Sequence, residues 1–360
     1  MYINHLPAET WNWLKMNGSE VVGIPKLQNS IFTSDKNGDI DNTLDSLTRR
    51  NIDARDNGAM RIAAANKVNI TGVGPDMDNL LFDNNITLNR YEINKGDSNV
   101  LKLKWDVKNQ SAWASAIEIV VKKNCKAVVF EEFESESEVS AHLAVQTKIV
   151  LEEGASINLI QLQRMGSGVT FINDIGSMQD EKSTFDLKEV IIGASKTYLG
   201  SRSNLVGDNS EFNAEVAYLV ENKDKLDMNF VEFQKGKKTN SNLDVKGILR
   251  DEAFKIFRGT IDFIRGCAGS KGSELEDVLL LDDTIVNQTI PLILCDEEDV
   301  EGDHGATIGQ IDDEKLFYLK SRGIKEEDIY EMLAKARLHS VISKISDEEI
   351  RNKWESFISE

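Results

Sequence analysis

The residues with the most chemistry to offer are four histidines and three cysteines in a chain of 360 residues. Among the histidines, His304 has the most unusual setting, because Asp299, Glu301 and Asp303 lie close to it in the sequence. An imidazole between carboxylates can carry a proton or bind a borderline-soft metal ion. Judged by residue type alone, a turn histidine that is hydrogen-bonded to Asp303 or Asp299 is the simpler interpretation.

The other candidate ligands favour structural roles. The three cysteines form no even-numbered, regularly spaced framework, which is typical of a reducing compartment. Cys267 and Cys295 are 28 residues apart, and we interpret both as small core residues. The acidic run at residues 131–138 alternates, so we interpret it as a solvated strand face. Calcium binding there is the less favoured alternative, because the run lacks Asp-Gly spacing.

Motifs of self-contained enzymes are absent from the sequence. It holds no GxxxxGK[ST] phosphate loop, no CxxC, no HExxH and no nucleophile elbow. The chain has only four histidines, so its composition argues against a His-rich metal site within one chain. The sequence therefore predicts a non-enzymatic protein.

Composition and charge narrow the class further. The chain has 42 Lys and Arg against 61 Asp and Glu, a formal charge of −19. This balance argues against broad contact with nucleic acid or anionic membranes, both of which attract basic proteins. No apolar run approaches the ~18–20 residues of a transmembrane helix, and no secretory signal is visible at the start. We expect a cytoplasmic globular protein.

The elements that must position these residues are mostly strands. From about residue 121, apolar and polar residues alternate in short runs that each follow a small polar turn. The first apolar residues of four such runs, spaced by 28, 27 and 31 positions, are Ile157, Phe185, Phe212 and Leu243. A repeat of this length predicts a β-solenoid. The alternative is an antiparallel sandwich, but the region lacks the Asn-Gly and Asp-Gly pairs that favour hairpins.

Different patterns flank this region and give three predicted parts. Residues 1–120 are expected to form an N-terminal α+β or helical region, with Trp11 and Leu14 on one helix face. Residues 121–311 form the β-solenoid core. Residues 312–360 form a C-terminal helical region, in which Asp312 or Asp313 caps a helix that ends at Arg322 and Gly323.

At this point the sequence resembles a known family, the SufB/SufD proteins of iron–sulfur cluster assembly. The resemblance rests on residues 291–294, 299–300, 304–309 and 316–324, with matching upstream runs at 257–261 and 278–281. Clear similarity covers about residues 240–340, and the Leu6–Leu14 stretch is similar more weakly. The resemblance implies a right-handed parallel β-helix flanked by N- and C-terminal helical regions. It also implies a non-catalytic scaffold subunit that works with SufB and the ABC-type ATPase SufC.

Two positions favour the D-type over the B-type members. Where B-type members carry their scaffold cysteine, this chain has Glu276, and the B-type His-Glu-Ala is here His304-Gly305-Ala306. One departure is that D-type members often carry a cysteine at the position of Gly302. This chain has no thiol at that position, so it cannot perform any role that the cysteine has in D-type members.

The resemblance also implies sites and partners. His304 is the candidate ligand, for a metal ion or for a transient iron–sulfur cluster, at an interface between two scaffold subunits. No stably bound cofactor is expected. The partners implied are a SufC-type ATPase and either a SufB-type paralogue or a second copy of the chain as a dimer. We expect the ATPase to bind the helical tail through Leu316, Phe317, Tyr318, Leu319, Arg322, Ile329 and Leu333.

Two alternatives from other classes stay open at this stage. One is a β-helix carbohydrate-active enzyme that uses carboxylates on a strand face. The other is a homodimeric SufB/SufD-like binding protein with the same helix-capped solenoid.

Overall fold

The computed structural model of the protein describes residues 1–10, 12–47 and 70–359. Four short or flanking strands come first: β1 Tyr2–Ile3, β2 Ser19–Glu20, β3 Gln28–Asn29 and β4 Thr33–Ser46. The later strands are β5 Thr87–Asp106, β6 Ala112–Val121, β7 Lys126–Glu134, β8 Ser140–Leu151, β9 Ser156–Met165, β10 Gly168–Gln179, β11 Thr184–Gly193, β12 Lys196–Leu205, β13 Glu211–Val220, β14 Lys225–Gln234, β15 Asn240–Leu249, β16 Phe254–Phe263, β17 Ser270–Leu280, β18 Val286–Cys295 and β19 Val300–Gly309. The helices in these residues are α1 Pro75–Asp83, α2 Asp313–Ser321, α3 Glu326–Ile342 and α4 Glu348–Ser359.

Strands β5–β19 wind into a parallel β-solenoid of about eight turns, here named the coil. Each strand pairs in parallel with the strand two places along the chain, which gives an odd-numbered and an even-numbered ladder. The long strand β5 belongs to both, since its first half pairs with β6 and its second half with β7. The predicted solenoid is therefore confirmed, and the antiparallel sandwich is wrong.

The register explains the repeat that the sequence shows. Ile157, Phe185 and Phe212 are direct partners in the odd ladder. Leu243 pairs with Ala214 instead, so it stands two residues away from the position of Phe212. The partner of Phe212 is Ser241, which lies in the coil interior and donates a hydrogen bond to Glu232.

Tight corners join the strands. In one column of corners the residues Asn124, Gly154, Lys182, Asn209 and Lys238 all have φ between 54° and 67°. Asn and Gly tolerate this left-handed conformation best, so their presence suits a corner that repeats once per turn. The backbone N–H of each of these residues donates to a carbonyl of the next corner, which keeps successive turns in register.

The core of the coil is built from stacked apolar side chains. Aromatic rings follow one another up the coil, with centroids 4.9 Å apart for Trp105 and Phe133 and 4.8 Å apart for Phe133 and Phe171. Such ring contacts add packing energy beyond the area they bury. Trp105 and Phe133 are register partners in the odd ladder, whereas Phe171 lies on β10 of the even ladder, so the stack crosses the coil interior.

Each outer face of the coil has its own cover. Residues 1–29 and α1 lie on the even ladder, where Ile3, Val73 and Met77 pack against the small side chains of Ala114 and Ala144. Helices α3 and α4 lie on the odd ladder through a second apolar cluster that includes Leu338, Ile342 and Trp354 from the helices and Phe130, Ile160 and Ala217 from the strands. Each flanking region therefore packs on one outer face of the coil through an apolar cluster of its own.

The two ends of the coil differ. At the N-terminal end, β4 runs antiparallel to β5 along most of its length and covers the first turn. At the other end, β18 pairs only backward with β16, and β19 only backward with β17. Among the described residues nothing pairs with the outward edges of β18 and β19, and we name this face the open end.

Several details differ from the predicted organisation. The ladders begin at β5, upstream of the expected start at residue 121, because buried residues already alternate in its second half at Leu101, Leu103 and Trp105. Leu14 lies in a turn and not in a helix, and Trp11 lies outside the described residues. Helix α2 follows the prediction, since the Asp312 side chain accepts hydrogen bonds from two N–H groups of the first turn.

Candidate functional site

His304 lies on β19 at the open end and is exposed. Its register partner on β17 is Glu274, one turn below in the coil. Residues in register on parallel strands point to the same side, so His304 stands above Glu274 on the inward-facing side. In the described structure His304 makes no hydrogen bond or ion pair with Asp303 or Asp299, so the simpler sequence interpretation does not hold.

A group of buried polar side chains lies beneath His304. Glu276 is 3% exposed and forms an ion pair with the buried Lys255, and it accepts a hydrogen bond of 2.8 Å from the Thr289 hydroxyl. Burial lowers the pKa of Lys255, and the neighbouring charge of Glu276 opposes that effect. At the position of the B-type cysteine, this chain thus has a satisfied ion pair and no thiol.

Glu274 is the residue of this group that sequence reasoning missed. Its side chain is 4% exposed, and burial together with the carboxyl groups of Glu232 and Glu276 raises its pKa to about 8. It fits there because Gly259 faces it from the even ladder, where a Cβ atom would lie within 2 Å of a Glu274 carboxylate oxygen. The signal in the sequence is its distance of 30 residues from His304, which equals the local repeat.

The described residues contain no group of three or more His, Cys, Asp or Glu side chains that could hold a metal ion. Within the described residues His304 therefore belongs to no such group, and it lies exposed on a strand that pairs only with β17.

The three cysteines divide by exposure. Cys125 and Cys267 are buried, and burial raises the pKa of the Cys267 thiol to about 11. Cys295 is exposed, so its interpretation as a core residue is wrong. It ends the last even strand and pairs in register with Phe263, but no further turn covers it.

The acidic run at residues 131–138 is also not the solvated face that was expected. Glu131 points into the coil and is fully buried, where it accepts hydrogen bonds from Thr147 (2.9 Å) and Gln161 (2.6 Å). Glu132 points outward but is covered by α4, whose Lys353 donates to it over 2.6 Å. Only the final acidic residues lie in an exposed corner.

The residues expected to bind the ATPase fall into two groups. On α2, Phe317 and Tyr318 are 74% and 56% exposed, Arg322 is exposed just beyond the helix, and Leu316 and Leu319 are half-buried. On α3, Leu333 is half-buried and Ile329 is buried, which leaves Ile329 no free surface for a partner. The exposed apolar residue of α3 is Met332, which the sequence-based set omitted.

A groove of about 850 Å³ separates α2 from the last odd strands. Its walls include Leu279, Ile308, Tyr318 and Leu319, and the ion pair between Asp277 and Arg337 lies at one side. No helix in the described ranges is both long and apolar enough to cross a membrane. The surface around α2 thus combines exposed aromatic side chains with a partly apolar groove.

Known proteins of iron–sulfur cluster assembly are similar to this chain over the region that holds these features. The profile of the SUF system FeS cluster assembly, SufBD core domain, matches residues 105–337, which is more than half of the chain. The chain is 24% identical over 215 residues to the iron–sulfur cluster assembly protein SufD of Bacillus subtilis, covering 59% of this chain and 49% of that protein. It is 28% identical over 174 residues to SufD of Escherichia coli, covering 48% and 41% of the two chains. A SufBD family protein of Synechocystis sp. is 25% identical over 263 residues, 71% and 52% of the two chains.

The chain spans about half the length of these curated relatives. The matched region runs from the second half of β5 through most of α3, so it includes His304, the polar group beneath it and the exposed face of α2. This match favours cluster assembly over the carbohydrate-active alternative. The chain belongs to the SufB/SufD family of iron–sulfur cluster assembly proteins, within which it is most similar to SufD.

Proposed function

We propose that this chain is a scaffold subunit of a Suf-type assembly complex that works with a SufB-type paralogue and a SufC-type ATPase in the cytoplasm. In this proposal it catalyses no reaction itself and binds no cofactor stably. The observation that carries the proposal is the difference between the two ends of the coil. One end is covered by β4, whereas no described residue pairs with the outer edges at the other end, where His304 is exposed.

An unpaired strand edge is a surface on which another chain can dock. Edge strands that expose unpaired N–H and C=O groups associate with other chains unless bulges, charges or other elements protect them. Solenoid proteins normally carry such protection as terminal caps. A second subunit that docks on β18 and β19 would supply the missing cap and would bring its own ligands next to His304.

The iron–sulfur cluster is the substrate in this proposal. Iron accepts imidazole as well as thiolate, and a single nitrogen ligand from this side is easily replaced when the cluster is handed on. The Glu276–Lys255 pair leaves no thiolate at the matching position of this chain. The thiolate ligands would therefore come from the other subunit.

The exposed face of α2, together with Met332 of α3, is the proposed ATPase docking surface. Aromatic residues that are exposed on a helix are typical anchors of protein interfaces. Helix α2 is well placed for this role, because α3 and α4, and not α2, supply the apolar cover of the odd ladder. The sequence has no phosphate loop of its own, so ATP hydrolysis must come from the partner.

Co-purification tests the proposal directly. The tagged chain is expressed with a SufB-type subunit and a SufC-type ATPase, and each is measured on the affinity resin. We expect both to be retained at stoichiometric ratio. Self-association without either partner would favour the homodimeric alternative, and polysaccharide turnover by the purified chain would favour the enzyme.

A further inference from the structure

The last turn of the coil has an unusual charge composition. Residues 281–311, which contain β18, β19 and their corners, hold eight Asp and Glu residues and no Lys or Arg. The whole chain has 42 basic residues in 360, so a stretch of this length would be expected to contain three or four. The absence of basic residues is therefore specific to the open end.

These carboxylates lie at both corners of the open end. The corner between β18 and β19 and the first half of β19 carry Asp296, Glu297, Glu298, Asp299, Glu301 and Asp303. The corner between β17 and β18 carries Asp282 and Asp283, both exposed. Two basic residues offset part of this charge: Lys271 of β17 pairs with Glu301 over 2.7 Å, and Arg265 in the corner between β16 and β17 acts on the charge of Glu297.

The same end has features of a surface that binds another chain. Leu275, Val286 and Ile308 are large apolar residues exposed at or beside it, and the edges of β18 and β19 are unpaired. Apolar surface and free edges favour docking, while a concentrated single-sign charge restricts which partner can dock. The inference below rests on the proposed function, in which a second coil covers this end.

The symmetry of a dimer of identical chains determines which corners of the two open ends face each other. In a two-fold dimer of identical chains the same patch lies on both sides, so each corner faces either its own copy or the other corner of the partner. Both corners are acidic, so both arrangements bring like charges together. Like-charge juxtaposition weakens association and slows the encounter.

We propose that the acidic corners of the open end reject a second copy of this chain and select a coil whose end carries basic corners. The partner is thus a different subunit, and the charge of its end is the property that this chain recognises. The apolar residues and strand edges supply attraction that is common to both partners, and the corners supply the discrimination.

Charge reversal tests this selection with the chain itself. Glu298→Lys, Asp299→Lys and Asp303→Lys are combined in one variant, which changes the formal charge by 3 × (+2) = +6. The matched control combines Asp35→Lys, Asp41→Lys and Asp45→Lys on β4, which are exposed at the opposite end and change the charge equally. Circular dichroism checks that both variants are folded. If the open-end Lys variant does not fold, a variant with Gln or Asn at the same three positions replaces it.

Masses in solution are measured by light scattering at low and at high salt. We expect the wild-type chain alone to be monomeric. The open-end variant should form dimers. If each corner faces its own copy, the variant should pair with the wild-type chain, whose same corner is still acidic. If each corner faces the other corner of the partner, the variant should pair with itself. Its dissociation constant should be lower than that of the wild type by on the order of tenfold at low salt, with the difference shrinking at high salt.

The inference is overturned by a wild-type dimer at low salt, or by open-end variants that associate no better than the β4 control. Either result leaves the proposed function in place if the SufB-type subunit is retained in the co-purification. Failure of that retention with the wild-type chain would contradict the proposed function separately.

Discussion

His304 is an exposed imidazole, and the described residues provide no metal-binding group of three or more His, Cys, Asp or Glu side chains. Its backbone is fixed by the parallel pairing of β19 with β17, and its side chain has no hydrogen bond or ion pair within the part of the chain that the structure describes. A residue of this kind contributes little to folding, because surface substitutions usually change stability by less than ~0.5 kcal/mol. Under the proposed function, His304 acts in binding and not in folding.

We therefore expect His304→Ala to lower iron–sulfur cluster formation in cells without loss of folding or of ATPase binding. The readouts are the activity of a cluster-dependent enzyme in a strain that relies on this complex, the thermal midpoint, and co-elution. His339→Ala is the matched control, because that histidine is also exposed but lies on α3. Full cluster formation by His304→Ala would remove the residue from the site.

Two buried carboxyl groups in the coil interior give a second prediction at this scale. Glu131 accepts a hydrogen bond from Gln161, whose side-chain oxygen accepts one from Asn173 over 2.6 Å, and the Asn173 amide also lies 3.4 Å from Glu189. One carboxyl oxygen of Glu189 has no hydrogen-bond partner in the described structure. Burial raises the pKa of Glu131 to about 7 and, together with the charge of Glu131, raises that of Glu189 to about 8.

The folded chain therefore holds these protons at pH values where the unfolded chain, with pKa values near 4.3, has released them. Since the folded state binds more protons in this range, the free energy of unfolding should fall as the pH rises from about 4.3 to about 8. The slope for one group is at most about 1.4 kcal/mol per pH unit. Glu189→Gln should reduce the slope, as measured by urea unfolding at about pH 6 and about pH 8.5. The exposed Glu298→Gln is the control, and an unchanged slope in Glu189→Gln would contradict the prediction.

The same residues show why sequence analysis misjudged the acidic run. Alternation predicted a strand at residues 131–138, and β7 does include Glu131–Glu134. The pattern could not show which face is buried, because Glu131 is satisfied by Thr147 and Gln161 from other strands. Polar residues that pair across a coil interior look like surface residues in a single sequence.

At the scale of elements, the C-terminal helices separate into a structural pair and an exposed helix. Leu338 and Ile342 of α3 are buried on the odd ladder, whereas Phe317 and Tyr318 of α2 are exposed. The sequence predicted both helices and the end of α2, but it placed Ile329 in the binding set. Apolar residues lie on more than one face of α3, so spacing alone could not separate the buried face from the exposed one.

We expect Phe317→Ala combined with Tyr318→Ala to weaken co-elution of the ATPase by tenfold or more, on the order of a loss of 1.4 kcal/mol or more. The urea midpoint should not change, because both side chains are exposed. Deletion of residues 313–360 would be a poorer test, since it would uncover the apolar face of the odd ladder. Unchanged co-elution in the double variant would rule out α2 as the docking helix.

Ile342→Ala should show the opposite pattern. This side chain is fully buried between α3 and the odd ladder, so its truncation should cost about 2–4 kcal/mol of unfolding free energy. ATPase binding should be retained at temperatures where the variant is folded. A stable variant that loses the ATPase would mean that the docking surface lies under α3.

At the scale of the whole molecule, the repeat could be read from the sequence. Which outer face of the coil each flanking region covers could not. A spacing of about 28 residues predicted the coil because each turn must return to the same place. The N-terminal region was expected as a separate α+β part, yet its residues pack on strands more than 100 positions away. Such long-range contacts depend on which outer face carries small residues such as Ala114 and Ala144, and periodicity does not report this.

One buried ion pair joins the start of the chain to the far part of the coil. Arg258 on β16 donates to Asp227 on β14 over 2.7 Å and to the carbonyl oxygen of Met16 over 2.6 Å. Asp227 also accepts hydrogen bonds from the side chains of Asn4 (2.8 Å) and Ser19. Both charged groups are almost fully buried, so removal of Arg258 leaves Asp227 with the partly exposed Lys225, 3.6 Å away, as its charged partner.

We therefore expect Arg258→Met to cost about 3–5 kcal/mol and to release residues 1–29 from the even ladder. Limited proteolysis should cut the variant in this segment at protease concentrations that leave the wild-type chain intact, and urea unfolding should show the loss. Combining Arg258→Met with Asp227→Leu also removes the buried carboxylate and should recover much of the stability, because apolar replacements of buried pairs are often well tolerated. If Arg258→Met stays protected and as stable as the wild type, the apolar contacts of Ile3 and its neighbours hold the segment without the ion pair.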